Sequence, residues 1–433
     1  MPFEIEKLPE ATRQDEPAGG YGPAMAIAAS VFFMIGFVTV LNDILVPHLK
    51  AIFELNYTET MLIQFTFFSA YFLVSIPAAK IISRIGYQRT IVMGLSVMGV
   101  GALVFVPAAS LPSYGLFLTA LCILASGMTL LQVSANPYVA GLGAPGKASS
   151  RLTLVHSLNS VGTTIGPWVG GLLILSATTM SSARLRAMSM DELQAHRLLE
   201  ASSVKLPYIC IAVLLALLGF GIARFKLPVL AELEDPTHHK QTGHESIWRY
   251  SHLVLGALGI FAYVGAEVSI GSFMVNYLML PSIAGLTAQS AAKYVSLYWG
   301  GAMVGRFAGT AFLRRVPTGP AVGVAAILAG SLVTISILGR GPISTWSILL
   351  VGLCNSIMFP SIFSLGIAKL GRLTGEGSGI MIAAIVGGAI IPMLQGVLAD
   401  RIGLQFAFVL PVVCYLYIMS YGFVGSRPRM TNV

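Results

Sequence analysis

The chain has 433 residues, of which 55% are hydrophobic and only 10% charged, against about 25% charged residues in a soluble domain. That balance excludes a soluble protein built on one large core, and a mean hydropathy of +0.80 points to a chain dissolved in lipid. The formal charge of +8 does not indicate a nucleic-acid partner, because the bases gather at the ends of apolar runs, as orientation signals do.

Residues 1–23 are polar, carry Pro2, Pro9, Pro17 and Pro23, and read as a disordered tail with no secretory signal ahead of the first apolar run. Twelve apolar segments follow, at about 24–47, 60–83, 90–109, 114–141, 152–177, 206–224, 251–280, 287–312, 319–338, 344–368, 378–399 and 405–424. Hydrocarbon forces each segment to satisfy its own backbone, so the expected fold is an all-α membrane protein of twelve transmembrane helices. Six segments fall in 24–224 and six in 251–424, joined by the polar linker 225–250 and closed by a tail at 425–433. A shorter polar insert, 181–205, holds "MDELQAHRLLEA", which reads as a surface helix. The even-numbered loops carry most bases, among them Lys80, Lys147, Arg151, Lys226, Arg314 and Lys369, which places both termini in the cytoplasm. The insert 181–205, with Arg184, Arg186, Arg197 and Lys205, runs against that trend.

Taken in order, the first segment contains "GFVTVLNDILVPHL", with Asn42 and Asp43 near its outer end. The fourth contains "LLQVSANPYVAGLG", in which Gln132, Asn136 and Pro137 interrupt the apolar run. The fifth supplies His156 and Asn159, the seventh Glu267 and Asn276, the eighth Trp299, the tenth Asn355 and the eleventh Gln395. Of eighteen acidic residues only Asp43 and Glu267 stand well inside apolar runs. A carboxylate there is costly; it faces a polar cavity or a partner, and one that changes its charge state suits the carriage of a proton. A structural ion pair is the alternative for Glu267, and a helix-end carboxylate for Asp43. The amides offer donors and acceptors without fixed charge, which matches a neutral polyhydroxylated ligand; singly, each also suits a helix–helix hydrogen bond. His156 has no acid near it in sequence and reads as an interhelical contact. Trp168, Trp299 and Phe273 can stack on a sugar ring or simply pack. The four cysteines lie in apolar runs without metal-ligand spacing and read as packing residues.

The pattern amide-x4-Pro-x5-Gly occurs twice, as Gln132, Pro137, Gly143 and as Asn355, Pro360, Gly366. Gly162, Pro167 and Gly171 likewise recur as Gly387, Pro392 and Gly396, each 225 residues on. The two matches at nearly one offset indicate two pseudo-symmetric six-helix halves. The prolines free backbone carbonyls and let the helices bend.

"AKIISRIGYQR" keeps Arg84, Gly86 and Arg89 of the major facilitator loop pattern G-x-x-x-D-R-x-G, and "GVLADRIG" completes it with Gly396, Asp400, Arg401 and Gly403. "GRFAGTAFLRR" (305–315) is a looser copy. Together with "SSRLTLVHSLNSVGTTIGP", "YVGAEVSIGSFMVNYL" and "AIVGGAIIPMLQGVLAD", the fourth-segment motif resembles the fucose:proton symporter family of the major facilitator superfamily, and its glucose/galactose branch most. The likeness covers about residues 25–424. It implies alternating access, proton-coupled sugar uptake across a bacterial inner membrane, and a fold of the major facilitator type. In "VLND", Asp43 matches the family's first-helix acid, and Asn159 matches its fifth-helix sugar-contacting amide. Fucose-type members place Glu where this chain has Gln132 and lack an acid where it has Glu267, a shift that fits the glucose/galactose branch.

The expected function is secondary active import of a neutral hexose, with proton coupling through Asp43 and Glu267. The expected sugar contacts are Asn42, Gln132, Asn136, Asn159, Glu267, Asn276, Asn355 and Trp299. Arg84, Gly86, Arg89, Asp400 and Arg401 are expected to act in gating loops. Sodium coupling and small-molecule export are alternatives within the same fold. A membrane enzyme would need a nucleophile–base or metal set, and no H-E-x-x-H, G-x-S-x-G or clustered His and Cys occurs; a channel is disfavoured by the lack of a repeated filter segment. No G-x-x-x-x-G-K-[ST] loop occurs, so an ion gradient, with no cofactor or metal, is expected to supply the energy. The expected partners are a sugar and the bilayer, with no nucleic acid, and the protein is expected to be a monomer.

Overall fold

The computed structural model describes residues 21–53, 57–110, 113–173, 204–228 and 246–428, and their side chains except at 42–53, 57–61, 168 and 170–173. Residues 1–20 of the tail expected at 1–23, most of the insert 181–205 and the centre of the linker lie outside the described residues, as do the side chains of Asn42, Asp43 and Trp168, while the first helix already begins at Gly22.

The helices are α1 (Gly22–Phe53), α2 (Tyr57–Ser110), α3 (Tyr114–Gly141), α4 (Ala148–Leu173), α5 (Lys205–Arg224), α6 (Ser251–Met279), α7 (Ala288–Phe312), α8 (Thr318–Leu338), α9 (Gly341–Asn355), α10 (Met358–Gly366), α11 (Thr374–Ala383), α12 (Gly387–Ile402), α13 (Leu404–Ala407) and α14 (Val409–Ser420). Nine stretches of the described residues are long and apolar enough to cross a bilayer. One of them, Leu62–Ser110, is two passes, because α2 breaks at Gly86 with φ 79° and ψ 172°, a conformation open to glycine. With α4 and α7, which are more polar, the passes number twelve, in agreement with the twelve segments of the sequence. The tenth is split into α9 and α10, and the eleventh into α11 and α12.

The repeated glycines do equivalent work in the two halves. A Cβ on Gly162 of α4 would collide with the Phe33 carbonyl of α1, and one on Gly387 of α12 with the Phe261 carbonyl of α6. Small residues let these helix pairs approach backbone to backbone, which is how helices associate where lipid removes the hydrophobic drive. The repeated prolines diverge. α3 continues through Pro137, whereas the tenth pass is interrupted at Ser356 and Ile357, just before Pro360. A proline leaves the carbonyl four residues earlier without its helical donor. In α3 that carbonyl belongs to Val133, and Ser378 of α11 takes it at 2.7 Å.

Two turns hold neighbouring helix ends. Gln88, two residues after Gly86, donates to the carbonyls of Ile222 (2.8 Å) and Phe225 (2.7 Å) at the end of α5. Gln405, two residues after Gly403 (φ 86°), donates to Ile337 (2.8 Å) and Gly339 (3.0 Å) at the end of α8. "RIGYQ" and "RIGLQ" are thus one device used twice, in the loops after the second and eleventh passes, which lie at opposite ends of the bundle. Arg151 closes α3 in a similar way, reaching the carbonyls of Val139 (3.2 Å), Ala140 (2.5 Å) and Ala144 (2.9 Å).

The halves meet closely at the end that carries the loops 142–147 and 367–373. There Ser149 and Ser364 share a hydrogen bond of 2.5 Å, and Ser150 donates to the Thr310 carbonyl at 2.7 Å. The seam continues inward along α4 and α7 to Thr164, whose hydroxyl lies 3.4 Å from the Met303 sulfur.

Candidate functional site

Midway along the bundle, α6 turns Tyr263 and Glu267 to one face, four residues apart. The Tyr263 hydroxyl donates to Glu267 Oε1 at 2.7 Å and lies 3.2 Å from the Asn355 carbonyl. Arg306 of α7 approaches from the side, with Nη2 4.0 Å from Glu267 Oε1, and donates through Nη1 to the Ser160 hydroxyl of α4. One charged pair from the second half therefore touches the first half through a serine. The Glu267 and Arg306 side chains are each 13% exposed.

Asn355 ends α9 and is fully buried. Its Nδ2 donates to the Tyr298 hydroxyl at 2.9 Å, and its Oδ1 accepts from the Tyr415 hydroxyl at 2.8 Å. The amide thus joins α7, α9 and α14, and both ends of its side chain are engaged. On the other side, Asn136 Nδ2 donates to the Gln132 backbone carbonyl (2.8 Å) and lies 3.2 Å from Gln132 Oε1. Asn136 Oδ1 meets His156 Nε2 at 3.1 Å. Because that oxygen only accepts, His156 carries its proton on Nε2. Phe32, His156 and Phe359 pack one after another at tilted angles, with ring centroids 4.8 and 5.2 Å apart, and form an aromatic layer across both halves. Asn159 Nδ2 donates to the Phe32 carbonyl at 3.0 Å, and its oxygen accepts nothing among the described residues.

The structure therefore brings Gln132, Asn136 and His156 into one cluster and Glu267 and Asn355 into another. Asn276 is exposed nine residues beyond Glu267, more than two turns along α6. Trp299 is 42% exposed; its ring packs edge-on against Tyr298 at 5.1 Å and lies against Gly271. Arg84, Arg89, Asp400 and Arg401 are exposed and form no ion pair or hydrogen bond among the described residues. Gln395 is buried, and neither amide atom has a partner among the described residues.

Sequence reasoning missed Arg306 and the three tyrosines. The signal for Arg306 was present: a base stands six residues inside the apolar run 287–312, and Glu267 is the acid inside the runs of the same half. The tyrosines gave no signal, because their rings read as packing. Among the described residues no group of three or more His, Cys, Asp or Glu can hold a metal ion, and the four cysteines are free.

The family model of the Major Facilitator Superfamily matches residues 27–385. The chain is 51% identical over 407 residues to the glucose/galactose transporter of Brucella abortus biovar 1 (strain 9-941), covering 94% of this chain and 95% of that one. It is 32% identical over 422 residues to the L-fucose-proton symporter of Escherichia coli (strain K12), covering 95% and 96%. The crystal structure of the transporter FucP in the outward conformation superimposes with a TM-score of 0.86 at 32% identity, over 93% of this chain and 98% of that one. Family model, relatives and structure agree with the apolar twelve-pass bundle: the chain belongs to the Major Facilitator Superfamily, in the glucose/galactose branch of its fucose:proton symporter family.

Proposed function

We propose that this sugar transporter imports a neutral hexose by proton symport, glucose or galactose first, with fucose and N-acetylglucosamine behind. The observation that carries the reading is the balanced charge of the central site. Glu267 is met by Arg306 at 4.0 Å, and the groups around them are amides and hydroxyls. A compensated pair among neutral hydrogen-bonding groups favours a ligand that has many hydroxyls and no net charge. The relatives named as glucose/galactose transporters support the hexose, and the relatives named as L-fucose-proton symporters support the proton.

Asp43 is assigned as the coupling group, since it stands toward the outer end of the first pass, where a proton enters from outside. Glu267 accepts from a sugar hydroxyl and tunes the site. Both termini and the linker 225–250 face the cytoplasm of a bacterial inner membrane, and the monomer is the working unit. With that orientation, the hydrogen bond between Ser149 and Ser364 lies at the cytoplasmic end and holds the halves together there.

Counterflow of labelled glucose in proteoliposomes tests the substrate class. Unlabelled glucose and galactose should compete strongly, and cationic drugs and sugar phosphates should not. Competition by the drugs or phosphates, with none from the hexoses, would overturn the assignment.

A further inference from the structure

We propose that Arg306 is a sugar-contacting residue, and that with Glu267 it clamps two neighbouring hydroxyls of the pyranose ring. This rests on the hexose reading above. A guanidinium has five N–H donors in a planar fork. Among the described residues, Arg306 spends one of them, from Nη1, on Ser160. Nη2 lies 4.0 Å from Glu267 Oε1, beyond hydrogen-bond reach, and the buried Nε has no partner among the described residues. An unmet buried donor on a charged group is costly to keep and indicates an acceptor that arrives later.

Glu267 is its complement. Oε1 accepts from Tyr263, and Oε2 accepts nothing among the described residues. The pair thus presents a spare carboxylate oxygen beside spare guanidinium donors, and each side chain is 13% exposed. A sugar hydroxyl donates its O–H to Oε2, and the oxygen of the adjacent hydroxyl accepts from the guanidinium. One vicinal diol then satisfies both groups, which neither an isolated hydroxyl nor an anion does as well. Because Nη1 rests on Ser160 in the other half, the clamp also sits across the seam that must open and close.

A purely structural Arg306, tying Ser160 to Glu267, would have a different signature. Its loss would weaken every sugar by one common factor, and Ser160→Ala would reproduce that pattern. The discriminating experiment measures binding of glucose and of its monodeoxy analogues to the full-length purified transporter and to Arg306→Lys, Arg306→Gln and Glu267→Gln. The wild type should lose tenfold or more with the analogues that lack the clamped hydroxyls. Arg306→Lys should weaken glucose by about tenfold or more yet leave one deoxy analogue bound as the wild type binds it, because the contact is already missing. Glu267→Gln should show the same insensitivity for the analogue lacking the neighbouring hydroxyl.

A loss that is uniform across all analogues, or no loss, overturns the clamp while leaving the hexose assignment standing. If the wild type binds no hexose, the substrate reading itself fails. Glu267→Gln keeps the test decisive should the arginine variants prove unstable.

Discussion

Two fully buried amides in the second half lead to opposite expectations. Asn355 has both ends of its side chain bonded, to Tyr298 and Tyr415, whereas Gln395 has neither bonded among the described residues. Removing a bonded buried partner strands the groups that remain, so Asn355→Ala should cost about 2 kcal/mol or more of stability. Gln395→Leu removes two unmet polar atoms and should leave thermal stability unchanged or higher, by about 1 kcal/mol. Thermal unfolding of the detergent-purified protein checks both, and a larger loss for the glutamine variant would contradict this assignment of their bonds. At this scale the sequence reveals which residues are out of place in lipid, not what they touch. Glu267 stood out as an acid within an apolar run, and its ion-pair alternative has substance in Arg306 at 4.0 Å. His156 read as an interhelical contact and is one, through Asn136. Asn355 was legible as an amide, but its partners were not, because a tyrosine in a membrane helix shows its ring to a pattern search and hides its hydroxyl.

Helices were the most legible level, since lipid permits so few alternatives. The Gly162 and Gly387 repeat predicted matching positions, and both glycines sit where a helix crosses the first helix of its own half. Gly387→Val should force α12 away from the Phe261 carbonyl of α6 and cost about 2 kcal/mol, within the range for overpacked cores. Unfolding midpoints of this variant and of Gly396→Val, where the nearest atom is the tip of Phe273 at 3.5 Å, would separate backbone collision from simple bulk. The repeated prolines were legible as breakers but not in their consequences. Pro137 leaves α3 intact and hands the Val133 carbonyl to Ser378, whereas the tenth pass is broken ahead of Pro360. The Ser378 donor comes from a helix of the opposite half, and no local pattern encodes it. The twin Gln88 and Gln405 turns escaped notice because the facilitator loop pattern draws attention to charges, while the bonds are made by the amide two residues after each glycine.

Across the whole molecule, the serine contacts at one end predict how the halves move. Ser149 and Ser364 approach to 2.5 Å, near enough for a disulfide once both are cysteine. With Cys122, Cys210, Cys354 and Cys414 replaced, oxidised Ser149→Cys/Ser364→Cys protein should lose sugar uptake and regain it on reduction. Unimpaired uptake by fully cross-linked protein would mean that these ends never part. Orientation is checked separately: a cysteine placed in 181–205 should be labelled from outside the cell, and one placed in 230–245 only from inside. The central claim is gradient-driven sugar import, and its most direct test is uptake of labelled glucose and galactose into proteoliposomes under an imposed proton or sodium gradient, with Asp43→Asn beside the wild type. The account predicts accumulation with the proton gradient alone, abolished in Asp43→Asn while equilibrative exchange remains measurable. Accumulation that follows sodium, or that survives in Asp43→Asn, would contradict it.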